Sequence, residues 1–521
     1  MSDSESYPRR DRAAGGLAGL LAGAAGLGVA EGAAALLTGA TAPVVAVGNL
    51  AVDAAPRPVK EWAIETFGSA DKAVLVGGVV AAVALAVTLA GALGVSRPRT
   101  AVAVFLGLSA VAGAAVLTDR TAGASLPVRS VPVVALATTS VAALLLLLRT
   151  LRPAAPPTAE RPAPPGFDRR AFLGAALAVG AVAATGGAVG RVYGGPLAAA
   201  SRLGVRVPVP DVAAPAMTEG MTLDVPGITP YLTPNRAFYR VDTALRVPDL
   251  PVDTWRLRVH GLVERELDLS FEDLLSRQLL ERRITLTCVS NPVGGEYVGN
   301  ATWIGVPVRD LLREAGVRAG ADAVRSTSAD GLTIGTPLSA LDDDDRDALL
   351  AVAMNGEPLP LEHGFPVRMV TPGLYGYVSA TKWLVDLEVT RFADFEAYWT
   401  SRGYAEQAPI KTSSRIDVPR PFARVPAGQV TVAGVAWSQD RGVTEVEVRV
   451  DGSPWQSARL AEPDGVDTWR QWVWDWEATP GNHRIEVRAA DATGYTQTSE
   501  RAPIAPDGST GWHNVTVTVQ R

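Results

Sequence analysis

The chain has 521 residues, 47% of them hydrophobic, and its formal net charge of −6 gives no excess of basic residues. This acidic balance excludes nucleic acid as the partner, because proteins that bind it need a basic surface. The single cysteine excludes a disulfide framework. The length leaves room for roughly three or four domains.

The first 200 residues are dominated by Ala, Gly, Leu and Val. Four charge-free stretches each approach the ~20 residues that cross a bilayer as a helix; they are residues 73–96, 100–118, 130–148 and 171–190. Upstream, residues 13–41 form an apolar run that only Glu31 interrupts, which predicts one long first helix, with two short helices as the alternative. Five membrane-spanning helices follow, four of them within residues 1–150.

Arginine clusters predict the orientation of these helices. They lie before the first helix, between the second and third, and after the fourth, and all three fall on one side if there are five helices. Because basic residues stay in the cytoplasm, the amino terminus is predicted to be cytoplasmic. Everything after about residue 195 is then outside, on a chain that crosses the cytoplasmic membrane several times.

Residues 151–200 combine a linker with the fifth helix. The stretch PAAPPTAERPAPP, residues 153–165, is typical of an extended proline-rich spacer. It is followed by Arg169-Arg170, Phe172-Leu173 and an apolar run, a pattern that resembles a twin-arginine export signal. An ordinary basic flank of a membrane helix is the alternative. Export by the twin-arginine route moves folded domains, so the external half is predicted to carry a cofactor inserted in the cytoplasm.

The predicted external half contains two regions with different sequence patterns. Residues 215–400 alternate short apolar runs with helical segments such as VPVRDLLREAG, which predicts a mixed α+β domain. Ser270 and Asp273 have the spacing of a helix cap. Residues 415–521 contain period-two strands separated by turns, a pattern that predicts an immunoglobulin-like β-sandwich.

Cys288 ends the run Ile284–Thr287, which predicts a strand, and a turn-forming Ser-Asn-Pro follows it. A thiol in this position is a metal ligand, a nucleophile or a buried structural residue. A cysteine protease would need a positioned histidine. One cysteine and four scattered histidines lack the ligand spacing of a zinc site.

Three collinear segments carry a resemblance to a known family. ITLTCVSNP, NATWIGVPVRDLLREAG and LLAVAMNGEPLPLEHGFPVRMVTPGLYGYVSATKWLVDLEV resemble the sulfite oxidase family of molybdopterin-dependent oxidoreductases, in a membrane-anchored bacterial form. The resemblance runs from about Thr233 to the carboxyl end. It implies that residues 215–400 are the molybdopterin-binding domain and that residues 415–521 are an Ig-like dimerisation domain, so that two copies pair.

The resemblance implies that the Cys288 thiolate is the protein ligand of molybdenum, beside a pyranopterin dithiolene and oxo groups. A soft thiolate suits such a metal. The anionic, polar pterin needs cationic and amide donors. The implied catalytic residues are Cys288 and Arg240, and the implied cofactor-binding residues are Asn235, Arg240, Cys288, Ser290, Asn291, His363, Arg368, Ser379 and Lys382.

The chain departs from the pattern of sulfite-oxidising members. Val293 stands where the family has an arginine, Val352 replaces a tyrosine of the substrate pocket, and the stretch APDGSTGWHN lacks a further arginine. Arg240 is the only remaining candidate from the cationic substrate cluster. Since cations hold an oxyanion by charge-assisted hydrogen bonds, sulfite is predicted to be a poor substrate.

Three functions stay open. The chain is an oxidoreductase that transfers an oxygen atom or two electrons to or from a small oxyanion, a reductase of S-oxides that include oxidised methionine in proteins, or an inactive membrane-tethered structural module. It has no CxxCH motif, no second cysteine and no histidine before residue 200, so neither haem nor an iron–sulfur cluster is predicted. Electrons are then exchanged with a separate cytochrome or quinone.

Overall fold

The structure is a computed structural model. It describes residues 9–37, 40–56, 71–119, 125–151, 169–193 and 197–521, with positions 59, 62, 66 and 67. The proline-rich spacer, residues 153–165, lies outside the described residues. The chain forms two compact units, which are Met1–Leu197 with Ala244–Val247, and Ala198–Thr243 with Pro248–Arg521.

The first unit is helical over its described residues. Its helices are α1 (Arg9–Leu36), α2 (Pro43–Ala54), α3 (Asp71–Gly94), α4 (Pro98–Thr118), α5 (Leu126–Thr150) and α6 (Arg169–Tyr193). Five of those described, all but α2, are long and apolar enough to cross a membrane. They coincide with the five predicted stretches within a few residues.

The apolar run 13–41 contains one long helix, as predicted, but α1 ends at Leu36, and the short α2 begins beyond the run at Pro43. Proline suits the first turn of a helix, where its missing N–H leaves no hydrogen bond unmade. Helix α1 packs closely on α3 and α6 through glycines. A Cβ at Gly19 would lie 2.0 Å from the Val87 carbonyl oxygen, and one at Gly28 would lie 2.5 Å from that of Ala183. Small residues of this kind allow apolar helices to approach each other closely.

The second unit contains four sheets. Sheet I has the order β2 (Leu267–Ser270), β1 (Arg256–Gly261), β10 (Leu384–Thr390), β5 (Ala323–Ser328) and β6 (Thr333–Pro337). Sheet II has the order β3 (Leu280–Thr287), β4 (Val298–Pro307), β7 (Leu349–Met354) and β8 (Glu357–Pro358), and β9 (Arg368–Val370) also pairs with β7. Buried residues from both sheets, among them Leu257, Val306 and Leu350, share one core.

Short helices connect these strands. They are α7 (Leu197–Gly204), α8 (Phe271–Leu275), α9 (Val308–Ala315), α10 (Leu338–Leu341) and α11 (Gly376–Ser379), with 3₁₀ turns at Asn235–Ala237, Leu361–His363, Phe392–Asp394 and Thr400–Arg402. The predicted cap is confirmed, since Ser270 and Asp273 form a reciprocal capping box at the start of α8.

Sheet II presents Cys288 at the end of a buried strand. Strands β3 and β4 pair antiparallel up to Thr287 opposite Val298. All six residues of β7 are buried, which is typical of a strand covered on both faces. Cys288 therefore lies directly after the buried end of β3, in a largely buried sheet.

Residues 413–520 form the β-rich region that the period-two pattern predicts. Sheet III has the order β11 (Ser413–Val418), β13 (Gly428–Trp437), β17 (Arg470–Ala478) and β16 (Arg459–Leu460); sheet IV has the order β12 (Arg424–Pro426), β19 (His513–Gln520), β18 (Gly481–Asp491), β14 (Val443–Val450) and β15 (Gln456–Ser457). Val432 and Trp472 of sheet III share a core with Val446 and Val517 of sheet IV. Alternation of buried and exposed residues explains this packing.

Candidate active site

The Cys288 thiol is buried, with 8% of the residue exposed. The backbone N–H of Cys288 donates to the Tyr297 carbonyl at 2.9 Å, which extends the β3–β4 pairing by one residue. The Ser290 N–H donates to Cys288 Sγ at 3.4 Å, and the Asn291 N–H donates to the Cys288 carbonyl at 3.0 Å. The thiol thus lies at a tight turn that points one backbone donor, the Ser290 N–H, at sulfur.

Residues from the β-rich region hold the turn after the thiol. Arg415 Nη1 donates to the Gly295 carbonyl and the Ser509 hydroxyl donates to the Asn291 carbonyl, both at 2.8 Å. The His513 ring packs so closely on Gly294 that a Cβ there would lie 2.1 Å from the ring, and Gly294 also has φ near +80°. Only glycine meets both requirements easily, so the β-rich region fixes the shape of this turn.

A second group of predicted residues forms one hydrogen-bonded network. His363 Nε2 donates to the Asn235 carbonyl at 3.1 Å, and Arg368 Nη1 donates to the His363 carbonyl at 3.2 Å. Lys382 Nζ donates to the Glu362 carbonyl at 3.2 Å. The Arg368 guanidinium lies 5.1 Å from the Trp303 ring, as in a cation–π contact. The structure therefore brings together residues that lie far apart in the sequence.

Two of the predicted cofactor-binding residues, Asn235 and Ser379, form side-chain hydrogen bonds with other protein groups. Asn235 Nδ2 donates to the Met354 carbonyl at 3.2 Å, and Asn235 Oδ1 accepts from Asn355 at 2.9 Å. The Ser379 hydroxyl donates to the Leu374 carbonyl at 3.0 Å. These side chains brace the loops of the site, whatever else they contact.

Arg240 forms an ion pair that the sequence did not reveal. Its Nε lies 2.8 Å from Asp242 Oδ2, and Lys382 Nζ lies 2.8 Å from the same oxygen. The Asp242 side chain is 2% exposed, whereas that of Arg240 is 41% exposed. Asp242 therefore offsets part of the positive charge that both cations bring to the site.

Burial sets the protonation of these groups. It raises the pKa of the Cys288 thiol, against the Ser290 hydrogen bonds and the Lys382 charge, which lower it. Burial and the Arg368 charge lower the pKa of His363 to about 4, so the ring is neutral at pH 7. Burial lowers the pKa of Arg368 to about 10 and, against the Asp242 charge, that of Lys382 to about 8. Both remain mainly cationic at neutral pH.

The positions that depart from the family pattern are neutral in the structure. Val352 is 2% exposed and belongs to the core shared by sheets I and II. Val293 lies in the turn after Cys288 and lines a small cavity with Asn291, Tyr375 and Ser509, all of them neutral. Arg415, which contacts this turn, pairs with Asp417 at 2.7 Å.

Sequence reasoning missed Tyr239, whose side chain interacts electrostatically with both Cys288 and Arg368. The signal was available, because Tyr239 lies in the same segment as the predicted Asn235 and Arg240. A tyrosine after a phenylalanine resembles ordinary core, however, and only the tertiary structure shows what its hydroxyl faces.

Comparisons with known proteins agree with this geometry. The family model "Oxidoreductase molybdopterin binding domain" matches residues 244–399. Sulfite oxidase from Gallus gallus is 33% identical over 334 residues, which cover 54% of this chain and 72% of the chicken protein. The chain belongs to the sulfite oxidase family. The mitochondrial sulfite oxidase of Homo sapiens is 32% identical over 342 residues, and this family member spans 62% of its length.

A solved structure with a similar chain is "Crystal Structure of the Sulfane Dehydrogenase SoxCD from Paracoccus pantotrophus". It is 24% identical, has a TM-score of 0.49, and the match covers 64% of this chain and 94% of that one.

The donor set of this sulfite oxidase family member fits a molybdenum-bound pterin. Cys288 offers one soft thiol ligand. Arg368 is 5% exposed, and its Nε has no hydrogen-bond partner among the described residues. A buried cationic donor of this kind is costly unless an anion pairs with it, and the pterin phosphate is such an anion. Among the described residues no cluster of His, Cys, Asp and Glu could hold another metal ion.

Proposed function

We propose that the chain is a membrane-anchored, extracytoplasmic molybdenum oxidoreductase that transfers an oxygen atom, with two electrons, to or from sulfur in a small substrate. The observation that carries this proposal is the convergence of the buried Cys288 thiol with Arg368 and Lys382, in a chain of the sulfite oxidase family. The chain spans 62% of the length of the human sulfite oxidase.

In this proposal the Cys288 thiolate binds molybdenum, while Arg368, Lys382 and His363 bind the pterin with Asn235, Arg240, Ser290, Asn291 and Ser379 around them. The bound metal would supply oxygen-atom transfer and take up the electrons. Reduction of an S-oxide consumes two electrons and two protons and releases a thioether and water. Oxidation of sulfite is the reverse type of reaction, because it takes an oxygen atom from water and releases two electrons and two protons to an acceptor. Ser290 and Lys382 would stabilise negative charge at sulfur.

The electrons need a second redox partner. We propose a separate cytochrome or quinone, because the single cysteine cannot hold an iron–sulfur cluster. The inactive structural module is the competing function, and molybdenum content separates the two. Purified protein should contain close to one molybdenum atom per chain by elemental analysis, whereas a structural module would contain none.

Substrate preference follows from the positions where this chain lacks the cations of sulfite-oxidising members. Val293, in the turn after Cys288, supplies no charge, and Asp242 offsets part of the charge of Arg240, so a neutral S-oxide should be preferred over sulfite. We expect kcat/KM for sulfite with an acceptor dye to lie below that for an S-oxide with a donor dye. Val293→Arg should raise kcat/KM for sulfite roughly tenfold through a charge-assisted hydrogen bond, and Val293→Leu is the uncharged control. A wild type that prefers sulfite would contradict this.

Membrane placement is the second part of the proposal. The five apolar helices support anchoring, and the arginine clusters support a cytoplasmic amino terminus. Residues 1–150 would then be a four-helix transmembrane region, and residues 151–200 the linker with the fifth helix.

Replacement of Arg169 and Arg170 by lysine tests the export route. Lysine keeps the basic flank that orients α6 but removes the arginine pair of the signal. We expect a reporter at the carboxyl terminus to be active outside the cytoplasm in wild type and retained inside in the double variant. Lysine at Arg97 and Arg99 is the matched control. Normal export of the Arg169/Arg170 variant would refute the twin-arginine route.

Pairing of two copies through residues 415–521 is the third part. Sheets III and IV support an Ig-like sandwich, because they share one core. Two of the tryptophans of β17, Trp472 and Trp476, lie in that core, so a dimer surface must use other residues. Light scattering in mild detergent should give the mass of two chains, and the mass of one chain would refute the dimer.

A further inference from the structure

The Tyr239 hydroxyl is an unpartnered donor near Thr287, the residue that precedes the thiol. Among the residues that the structure describes, none forms a hydrogen bond with it. Its electrostatic contacts are with Cys288 and Arg368. Other tyrosines of the same unit behave differently, since Tyr231 donates to Asp464 and Tyr377 donates to the Ala405 carbonyl, each at 2.7 Å. Tyr239 is half-buried, so its hydroxyl is free to donate to a ligand.

The surroundings hold this hydroxyl in place and leave room near it. The Tyr239 ring stacks on Phe238, with ring centres 5.2 Å apart, and lies 6.4 Å from the ring of Tyr297. A Cβ at Gly376 would lie 4.0 Å from the hydroxyl oxygen and 3.8 Å from the Thr287 carbonyl. Glycine at this position therefore keeps space open between the phenol and the residue that precedes the thiol.

We propose that Tyr239 donates a hydrogen bond to the sulfur-bound oxygen of a neutral S-oxide substrate at the Cys288 site. This inference rests on the proposed function and names a residue and a substrate class for it. A fixed, uncharged donor stabilises the partial negative charge of an S–O oxygen. It adds no cation, so it favours a neutral substrate over an oxyanion. A phenol keeps its proton at neutral pH.

The test compares Tyr239→Phe with Tyr377→Phe in the full-length, molybdenum-loaded protein. Both variants remove one hydroxyl from a tyrosine, but the Tyr377 hydroxyl donates to a backbone carbonyl. With dimethyl sulfoxide and a reduced dye, we expect Tyr239→Phe to lower kcat roughly 10- to 100-fold at unchanged molybdenum content. Calorimetry with unreactive dimethyl sulfone should show roughly tenfold weaker binding. Tyr377→Phe should leave both quantities near wild type.

Two outcomes would overturn the inference about Tyr239 and leave the proposed function intact. One is a Tyr239→Phe protein with wild-type kcat and wild-type sulfone affinity. The other is an active wild type that oxidises sulfite and neither reduces dimethyl sulfoxide nor binds the sulfone. A wild type that contains no molybdenum would instead overturn the proposed function, and the inference with it.

Discussion

Cys288→Ser should leave the chain folded and loaded with pterin but without turnover. Serine is close to cysteine in size, so the expected loss of stability is about 0.5–3 kcal/mol, which a large domain survives. The hydroxyl is a harder and poorer donor to molybdenum than a thiolate. If the thiolate contributes several kcal/mol to the transition state, its loss lowers kcat roughly 1,000-fold or more. Denaturation curves, released pterin and steady-state kinetics measure the three quantities.

Thr287→Ser is the matched control for this variant. Thr287 is the last residue of β3, directly before the thiol, and it is 2% exposed, so the control also changes a small buried side chain. It should keep turnover. If Cys288 were only structural, Cys288→Ser would resemble Thr287→Ser, with activity kept and stability slightly lowered. Turnover at the wild-type rate with an unchanged molybdenum spectrum would end the ligand hypothesis.

Asp464→Ala should destabilise the second unit more than any surface substitution. Arg283, on the strand that ends directly before Cys288, forms an ion pair with Asp464, and its Nη2 donates to Asp464 Oδ1 at 2.6 Å. The Tyr231 hydroxyl donates to the same carboxylate at 2.7 Å. The two charged side chains are 8% and 4% exposed. Removal of one partner leaves a buried charge unpaired, which costs about 3–5 kcal/mol.

Chemical denaturation of the detergent-solubilised protein measures this loss. Glu266→Ala is the control, because it breaks the exposed Arg258–Glu266 pair, whose side chains are 56% and 58% exposed. Such an exposed pair contributes little to stability, because water and salt screen it. Arg283→Met combined with Asp464→Leu should recover much of the loss, since no charge is left buried. Equal losses for Asp464→Ala and Glu266→Ala would contradict the prediction.

The same pair predicts a dependence on pH. Burial by itself would raise the pKa of Asp464, but the hydrogen bonds from Arg283 and Tyr231 outweigh it and hold the pKa below its usual range. A depressed pKa in the folded state stabilises the protein above the unfolded pKa of about 3.9. That contribution is lost as the pH falls through the folded pKa. The difference between wild type and Asp464→Ala should therefore shrink in strong acid.

The apolar helices could be read from the sequence because their signal is local. A charge-free stretch of membrane-spanning length is apolar regardless of its neighbours, and the five predicted stretches are helices in the structure. The end of α1 at Leu36 was missed because no charge marks it. The strands of residues 413–520 were likewise visible as period-two alternation, since each strand buries one face.

In the candidate site, too, some features could be predicted from the sequence and others could not. The three collinear motifs placed Cys288, Arg368 and Lys382 in the family pattern, and the comparisons confirm the family. Ion pairs, by contrast, depend on which loops meet in space. Nothing in the sequence indicated that Asp242 binds both Arg240 and Lys382, because charged residues of this kind usually lie on the surface.

The sequence by itself determined the apolar segments, the β-rich end, the family and the lone thiol at the end of a strand. These follow from local periodicity and from motifs whose residues are contiguous. Only the folded chain shows that the Tyr239 hydroxyl lies near the residue before the thiol, that Asp242 pairs with two cations, and that Arg415, Ser509 and His513 hold the turn after Cys288. Burial, charge pairing and hydrogen bonding depend on residues that are far apart in the sequence, such as Ser509 and Asn291, which are 218 positions apart. No local sequence pattern encodes such contacts.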